Sequence, residues 1–138
     1  MSHYGFTDGA SRHTRNLAST AWVLHHPSGQ LLVSRGVCIG PTYNNVAEYT
    51  AVIYLLSEAI SLGADSLVVF LDSQLVVLQL NNTYRVRDPF LLRLFFRVHL
   101  LQRSFQFLTF IHIPRTNNWM ADSLTNQEID WHINHSIH

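Results

Sequence analysis

A run of six mostly apolar residues, Ser-Leu-Val-Val-Phe-Leu at positions 66–71, lies near the middle of the chain between two segments with a helical pattern. Its length suits a strand, and the lack of polar alternation is typical of a strand covered on both faces. Such strands belong to sheets flanked by helices, so we expect this run to lie parallel to the first strand of the chain. The 138 residues leave room for one domain, which we expect to span residues 1–138.

Periodicity and turn residues predict the other elements. Three β-rich segments at the start of the chain favour an antiparallel meander, Gly63 is a helix stop, and Asp88-Pro89 is a helix start. We predict strands at residues 3–9, 21–25, 31–39, 66–71 and 107–113, and helices at residues 44–62, 73–80, 88–103 and 117–126. The fold class is therefore α/β: a five-stranded mixed sheet, with three antiparallel strands and then parallel strands, flanked by helices. We expect the polar, His-rich tail from about residue 128 to be flexible.

The charged residues narrow the class of partner. Nine Lys+Arg balance nine Asp+Glu, and all nine cations are arginine. A strongly basic nucleic-acid-binding surface is therefore not expected from net charge, although arginine favours bidentate contacts with phosphate or carboxylate. The single Cys38 cannot form an internal disulfide, and no apolar run approaches the roughly 20 residues that span a membrane. We expect an intracellular protein that does not contact a membrane.

Two of the aspartates fall at strand ends, where catalytic groups of α/β sheets are expected. Asp8 ends the alternating pattern of the first strand, and Asp72 directly follows the apolar run at 66–71. Functional groups of α/β sheets collect at such strand ends, so these two carboxylates are predicted to meet at one sheet edge. Asp122 stands in the predicted last helix. Taken alone, each also fits a strand end, a helix cap or a surface position.

Glu48 is a carboxylate on an apolar helical face, which it shares with Val52, Leu55, Ala59 and Leu62. A buried carboxylate needs a cation, a hydrogen-bond partner or a metal. If Glu48 and the three aspartates converge, divalent cations relieve their repulsion, and an oxygen-only ligand set suits Mg²⁺ or Mn²⁺. Two such ions about 4 Å apart activate a water and stabilise the leaving oxygen of a phosphodiester, so the pattern indicates nuclease chemistry.

Four motifs in order carry a resemblance to a known family. They are Thr7-Asp8-Gly9-Ala10-Ser11, Asn44-Asn45-Val46-Ala47-Glu48-Tyr49, Leu71-Asp72-Ser73-Gln74-Leu75-Val76, and Pro114-Arg115 with Asn118 and Ala121-Asp122. In these motifs the chain resembles type 1 ribonuclease H, especially its archaeal-like and retroelement-associated branch. The resemblance implies an endonuclease that uses two Mg²⁺ ions, with Mn²⁺ as substitute, and cleaves the RNA strand of RNA/DNA hybrids. The products would carry 3′-hydroxyl and 5′-phosphate ends.

The resemblance also implies residue roles. Asp8 would bridge both metals, Glu48 and Asp72 would complete the nucleophile side, and Asp122 would help to hold the second ion. Substrate contacts would come from Gly9, Asn44, Asn45, Ser73, Gln74, Arg115 and Asn118, with Arg85 and Arg87 as secondary candidates. Helix capping is the alternative role for Asn44 and Asn45, and solvated arginines on a helix edge are the alternative for Arg85 and Arg87.

The chain departs from the family pattern in two places. Tyr43 stands where many relatives have a phosphate-gripping threonine, and the loop before Asp122 lacks the histidine of bacterial members, whose assistance Arg115 would replace. His112 is predicted to be a packed core residue, because it alternates with apolar residues on the last strand. The helix at 88–103 is apolar almost all round, which suggests a partner surface for a neighbouring polyprotein domain or a second copy.

Two other functions remain open from the sequence. A DNA nuclease of related fold, such as an integrase or a junction resolvase, would share the architecture but place its acidic residues differently. A non-catalytic nucleic-acid-binding domain would have lost carboxylates. The Asn-Asn-x-Ala-Glu block at 44–48 favours hybrid cleavage over the first, and the presence of all four carboxylates disfavours the second.

Overall fold

A computed structural model describes residues 1–12 and 16–135, and within them the chain forms one five-stranded sheet in the order β3-β2-β1-β4-β5. The strands are β1 (His3–Arg12), β2 (Leu17–His25), β3 (Leu31–Gly40), β4 (Ser66–Leu71) and β5 (Phe107–His112). The first three pair antiparallel, whereas β4 runs parallel to β1 and β5 runs parallel to β4. This is the predicted α/β fold class, and the expected parallel pairing of 66–71 with the first strand is confirmed.

The helices are α1 (Asn44–Ser61), α2 (Gln74–Leu80), α3 (Pro89–Gln102) and α4 (Trp119–His135), and a short 3₁₀ helix at Arg115–Asn118 precedes α4. Local signals fix two of the ends. Gly63 follows α1 with a φ of 79°, a conformation that glycine adopts without strain. Asp88 caps α3, because its Oδ1 accepts hydrogen bonds from the backbone N–H groups of Phe90 and Leu91 at 2.8 and 3.1 Å.

The two faces of the sheet are covered unequally. Helix α1 packs on β1 and β2, and the core between them includes Tyr49, Leu55, Val69 and Leu71. On the other face α4 packs on β1, β2 and β3. Residues of β4 consequently alternate between buried and half-buried, so the prediction that this strand is covered on both faces is only half right.

The C-terminal helix is longer than predicted. In place of a helix at 117–126 and a flexible tail from about residue 128, α4 continues to His135. Two contacts hold its second half: Ile129 is fully buried, and Arg12 pairs with Asp130 at 2.5 Å. The prediction of a tail is thus wrong as far as His135, and residues 136–138 lie outside the described part of the chain.

The prediction for His112 is also wrong. Its strand β5 is the last in the sheet order, and His112 is exposed rather than packed in the core. β5 is an edge strand, with a neighbouring strand on only one of its two edges. At the margin of a sheet, an alternating pattern does not ensure that the face with the apolar residues is covered.

Candidate active site

Three carboxylates from three separate elements meet at the end of the sheet. Asp8 lies in β1, Asp72 directly follows β4, and Glu48 lies in the first half of α1. The parallel pairing sets Thr7 beside Leu71, so that the next residue on each strand is an aspartate. One carboxylate oxygen from each of the three residues lies within 4.8 Å of the others. The predicted convergence of Asp8, Asp72 and Glu48 is therefore present in the structure.

Glu48 reaches this cluster from the buried side of α1. The side chain is only 6% exposed, and Oε2 has no hydrogen-bond partner among the described residues. Helix and strand approach closely here, because a Cβ on Gly9 would lie 2.4 Å from backbone atoms of Ala47 and Glu48. A glycine at position 9 is therefore required to bring the glutamate to the strand that carries Asp8.

Asp122 completes the acidic group from the first turn of α4. Its carboxylate is not one of the three whose oxygens lie within 4.8 Å of one another. It is nevertheless close to Asp8, because its charge and a side-chain hydrogen bond add to the effect of burial in raising the pKa of Asp8. Thr125, one turn later, places its Oγ1 3.4 Å from Asp8 Oδ2 and 2.7 Å from the carbonyl of Asp122. Asp8 thus has the Glu48 and Asp72 carboxylates as neighbours and Asp122 as a further one.

Electrostatics show that the acidic group needs a positive partner. Burial raises the pKa of Asp8 to about 7, with the charges of Asp72 and Asp122 adding to the effect. Burial also raises the pKa of Glu48 well above its usual value, helped by the charges of Asp8 and Asp72, while a hydrogen bond from the Gly9 backbone opposes the shift. Without a cation, this group is therefore held partly protonated near neutral pH.

Asn118 fixes the position of Asp72. Its Nδ2 donates to the carbonyl of Thr7 at 2.8 Å and to Oδ2 of Asp72 at 3.2 Å, and the side chain is 1% exposed. Such a buried residue is well placed to orient a carboxylate. The structure therefore supports a positioning role for Asn118, and the substrate contact expected from the resemblance stays a prediction.

A polar cavity of about 230 Å³ opens beside Asp8 and Asp122. Its lining also includes Gly9, Asn44 and Arg115, three residues predicted to contact substrate. The remaining lining residues are Ala10, Ser11, Arg12 and Asn126. The cavity therefore joins the acidic group to arginine and amide side chains suited to phosphate and hydroxyl groups.

The other predicted substrate residues lie around this region in different environments. Asn44 and Asn45 are the first residues of α1, whose cap is Tyr43 without a side-chain hydrogen bond, so neither asparagine caps the helix. Asn44 is exposed and Asn45 half-buried, which leaves both free for another role. Gln74 is exposed at the start of α2, whereas the Ser73 hydroxyl accepts a hydrogen bond from the Val76 backbone N–H at 3.4 Å as its cap.

Arg85 and Arg87 are exposed in the segment between α2 and α3 and do not line the acidic cavity. Sequence reasoning overlooked two residues that do line it. Arg12 Nη2 donates to Asn126 Oδ1 at 3.3 Å, and Asn126 Nδ2 donates to the Asp122 carbonyl at 3.0 Å. Asn126 lies four residues, about one helical turn, after Asp122, and this spacing could have indicated that the two residues lie on the same face of the helix.

The donor set fits divalent cations. The candidate ligands are carboxylate oxygens, the preferred ligands of Mg²⁺ and Mn²⁺, and the unpaired, buried Glu48 Oε2 lacks any other partner among the described residues. A mixed sheet in this strand order, with a cluster of carboxylates at the end of β1 and β4 that suits a divalent cation, is the architecture of a ribonuclease H-like protein.

Comparison with known proteins identifies the family. Residues 6–128 match the family described as reverse transcriptase-like. The chain is 37% identical over 127 residues to ribonuclease HI of Halobacterium salinarum, covering 92% of this chain and 64% of that protein. It is 35% identical over 126 residues to the bifunctional protein Rv2228c of Mycobacterium tuberculosis, covering 89% and 34%. The chain thus spans about two thirds and one third of these relatives.

Comparison with solved structures also places the chain among ribonuclease H proteins. The crystal structure of RNase H1 from the same Halobacterium has a TM-score of 0.89 at 36% identity, covering 94% of this chain and 98% of that one. LC11-RNase H1 in complex with an RNA/DNA hybrid has a TM-score of 0.87 at 32% identity, covering 95% and 99%. The chain belongs to the reverse transcriptase-like family, in its type 1 ribonuclease H group, and the resemblance read from the four motifs is confirmed. This group depends on divalent metal ions.

Proposed function

We propose that this chain is an endonuclease that hydrolyses the RNA strand of RNA/DNA hybrids, leaving 3′-hydroxyl and 5′-phosphate ends. The observation that carries the proposal is the acidic centre: oxygens of Asp8, Glu48 and Asp72 lie within 4.8 Å, and Asp122 adjoins Asp8. All four carboxylates are present, which disfavours a non-catalytic binding domain. The similar LC11-RNase H1, solved with an RNA/DNA hybrid, supports this substrate.

Asp8, Glu48, Asp72 and Asp122 would hold two Mg²⁺ ions, with Mn²⁺ as substitute. When bound, such ions activate a water and stabilise the leaving oxygen of the phosphodiester. Asp8, which adjoins the Glu48, Asp72 and Asp122 carboxylates, would help to hold both ions. Asn118 restrains Asp72 through its hydrogen bond, so that this carboxylate needs little reorganisation when a cation binds.

Recognition of the hybrid would use uncharged groups near the acidic cavity. RNA is distinguished from DNA by its 2′-hydroxyl, which needs neutral donors and acceptors at the minor groove. The exposed side chains of Asn44 and Gln74, the half-buried Asn45 and the backbone at Gly9 supply them. Arg115 would contact a phosphate from the cavity wall. Ser73, as the cap of α2, would orient Gln74.

We also propose a partner surface on α3. The exposed Phe90, Phe96 and Leu100 of α3 support a partner surface there, and the two occupants proposed from sequence are a neighbouring domain and a second copy. Sedimentation of the purified chain separates them, because only a second copy gives a dimer. Within the described residues, no helix is long and apolar enough to span a membrane. We further propose an intracellular location and a catalytic domain that spans residues 1–138.

The test compares labelled RNA/DNA hybrid, double-stranded RNA and double-stranded DNA, with Mg²⁺, with Mn²⁺ and with chelator. We expect cleavage of the hybrid's RNA strand alone, dependent on the ion, with 3′-hydroxyl ends. Glu48→Gln, which keeps the shape of the side chain and removes its charge, should abolish cleavage, whereas Glu128→Gln, at a half-buried position that does not line the acidic cavity, should not. Cleavage of double-stranded DNA in preference to the hybrid would favour the integrase-like alternative. Tight hybrid binding without cleavage under any ion would favour a binding domain.

A further inference from the structure

The outer face of α3 is basic and apolar at the same time. The helix packs on α1, with Leu91 and Val98 buried on its inner side. The opposite side carries exposed residues at spacings of three and four, which place them on one helical face. These residues, called the α3 stripe below, are Arg93, Phe96, Arg97, Leu100 and Arg103. The two apolar side chains of the stripe are 61% and 60% exposed.

The positive charge of the α3 stripe belongs to a wider segregation of charge along a neutral chain. Between Asp72 and Asp122 the sequence has six arginines and one acidic residue, Asp88. The carboxylate of Asp88 is engaged in capping α3. Among the described residues, the arginines that form ion pairs are Arg12 and Arg35, and neither belongs to the stripe. The charge of the stripe is therefore not compensated within the described part of the chain.

A groove of about 560 Å³ runs along one flank of the α3 stripe. Leu92 and Phe95 of α3 form one wall, and residues 82–86 of the segment between α2 and α3 form the other. Leu92 lies one helical turn before Phe96, so the groove adjoins the apolar part of the stripe. The groove wall also includes Arg85, an exposed arginine. The surface thus offers a place for an apolar side chain with cations on both sides of it.

This combination selects one kind of occupant. A second copy that paired the same surface with itself would bring arginine against arginine, with no acidic residue of α3 to offset the repulsion. The phosphates of a nucleic acid would pair with the arginines but would leave Leu100 and the groove uncovered. An anionic membrane is a flat surface that would not fill the groove. A protein segment with both carboxylates and apolar side chains meets all of these features.

We propose that the α3 stripe and its groove dock an acidic amphipathic helix of a partner protein or neighbouring domain. Its apolar side chains would cover Phe96 and Leu100 and enter the groove, and its carboxylates would face the arginines of the stripe. The stripe extends about 15 Å along the axis of α3, which matches about three turns of a helix. The proposal gives the partner surface on α3 one occupant, and it does not depend on the proposed cleavage.

The probe is a fluorescent peptide of about 15 residues made of Glu and Leu, with Leu at spacings of three and four. Two matched peptides replace every Glu by Gln, or keep the composition and scramble the order. Each is titrated with the whole chain, without nucleic acid, and binding is followed by fluorescence anisotropy. We expect saturable, salt-sensitive binding of the acidic amphipathic peptide at micromolar concentration, and at least about tenfold weaker binding of both controls.

Matched variants locate the surface. Phe96→Ala should weaken peptide binding about tenfold, on the scale of one lost buried side chain, whereas Phe107→Ala, at a 64% exposed position on β5, should not. Arg93→Gln should weaken it about threefold, and Arg35→Gln, an exposed arginine of β3, should not. Hybrid cleavage by Phe96→Ala should equal that of the parent chain, because Phe96 does not line the acidic cavity. Loss of cleavage in the parent chain would therefore count against the proposed function alone.

Four results would overturn the proposal. The first two are equal binding of the Glu and Gln peptides and equal loss in Phe96→Ala and Phe107→Ala. A dimer of the parent chain that Phe96→Ala dissociates in sedimentation would assign the surface to a second copy. Tighter binding of single-stranded DNA or of phosphatidylserine vesicles than of the acidic peptide, weakened by Phe96→Ala, would assign it to a nucleic acid or a membrane.

Discussion

The side chain of Asn118 ties together the ends of two parallel strands, donating to the Thr7 carbonyl of β1 at 2.8 Å and to Asp72 beyond β4 at 3.2 Å. The same amide therefore braces the sheet edge and orients a carboxylate of the acidic centre. Because the side chain is 1% exposed, neither acceptor can turn to water in its place. This contact links the folding of the 3₁₀ helix directly to the geometry of the site.

The first prediction follows from this contact. Asn118→Ala leaves the Thr7 carbonyl buried without a donor and Asp72 unrestrained, so we expect a loss of about 1–3 kcal/mol in the free energy of unfolding. We also expect a lower kcat, with the loss relieved in part by higher Mg²⁺ concentration. Denaturant unfolding and hybrid cleavage across Mg²⁺ concentrations measure both. Asn117→Ala is the matched control, because its side chain is exposed and should change neither quantity.

The second prediction concerns the charge of the acidic centre. Asp8→Asn removes one of several clustered like charges, so the metal-free variant should melt at the same or a higher temperature than the parent chain. The same substitution should abolish hybrid cleavage, because Asp8 adjoins the Glu48, Asp72 and Asp122 carboxylates. Thermal melts and cleavage assays on the same preparations check both parts. Retained Mg²⁺-dependent activity in a contaminant-free sample would contradict the assigned role of Asp8.

The third prediction is a pH dependence of stability in the metal-free protein. The pKa of Asp8 is raised from 3.8 to about 7 in the folded chain, so between these values the folded state binds a proton that the unfolded state has lost. Stability should therefore be greatest at low pH within this window, and should fall as pH rises from about 4 to about 7. Denaturant unfolding across this window measures the slope. The slope should be smaller in Asp8→Asn, and saturating Mg²⁺ should reduce it, because the ion binds the deprotonated carboxylates.

Local sequence signals predicted most of the fold. Helix starts and stops such as Asp88 and Gly63 act within a few residues, and the apolar run of β4 carries its own periodicity, so the element order and sheet class could be predicted from the sequence. The extent of α4 could not. Its second half looks like a polar tail, and it is held by the buried Ile129 and by an ion pair between residues 118 positions apart, Arg12 and Asp130.

In the candidate site too, features with a local sequence signal were predicted, and features that depend on distant contacts were not. Asp8, Asp72 and Glu48 stood out by their placement on strand ends and on an apolar helical face, whereas Asp122 was indicated only by the family resemblance. The structure brings the first three together, with Asp122 next to Asp8. The hydrogen bonds of Asn118 were not predicted, because its partner Thr7 lies 111 positions away and no local pattern indicates that the side chain is buried. Arg12 and Asn126 were missed for a similar reason, since they line the acidic cavity only once α4 packs beside β1.

The fourth prediction tests the extended helix α4. Ile129→Ala removes a fully buried side chain, so we expect a loss of about 2–5 kcal/mol in the free energy of unfolding. Trp131→Ala, two residues later, truncates a side chain that is 54% exposed and should cost much less. Denaturant unfolding compares the two variants. Similar small losses in both would show that the helix end is not packed and that the tail predicted from sequence was right.

The last prediction concerns the strength and salt dependence of hybrid binding. With zero net charge and nine arginines as its only fixed cations, the chain should neutralise few phosphates, and each neutralised phosphate contributes roughly −0.9 to the slope of log affinity against log salt concentration. Arg85→Ala combined with Arg87→Ala should weaken binding and flatten this slope, with little effect on turnover at saturation, because the two side chains lie outside the acidic cavity.

Binding of a non-cleavable hybrid across salt concentrations provides the measurement. The matched control combines Arg35→Ala with Arg103→Ala, which removes the same charge from two other exposed positions and should leave the slope nearly unchanged. An equal effect of the two double variants would mean that only net charge matters. A steep slope in the parent chain, comparable to about six or more phosphate contacts, would mean that arginines concentrate along the hybrid despite the neutral overall charge.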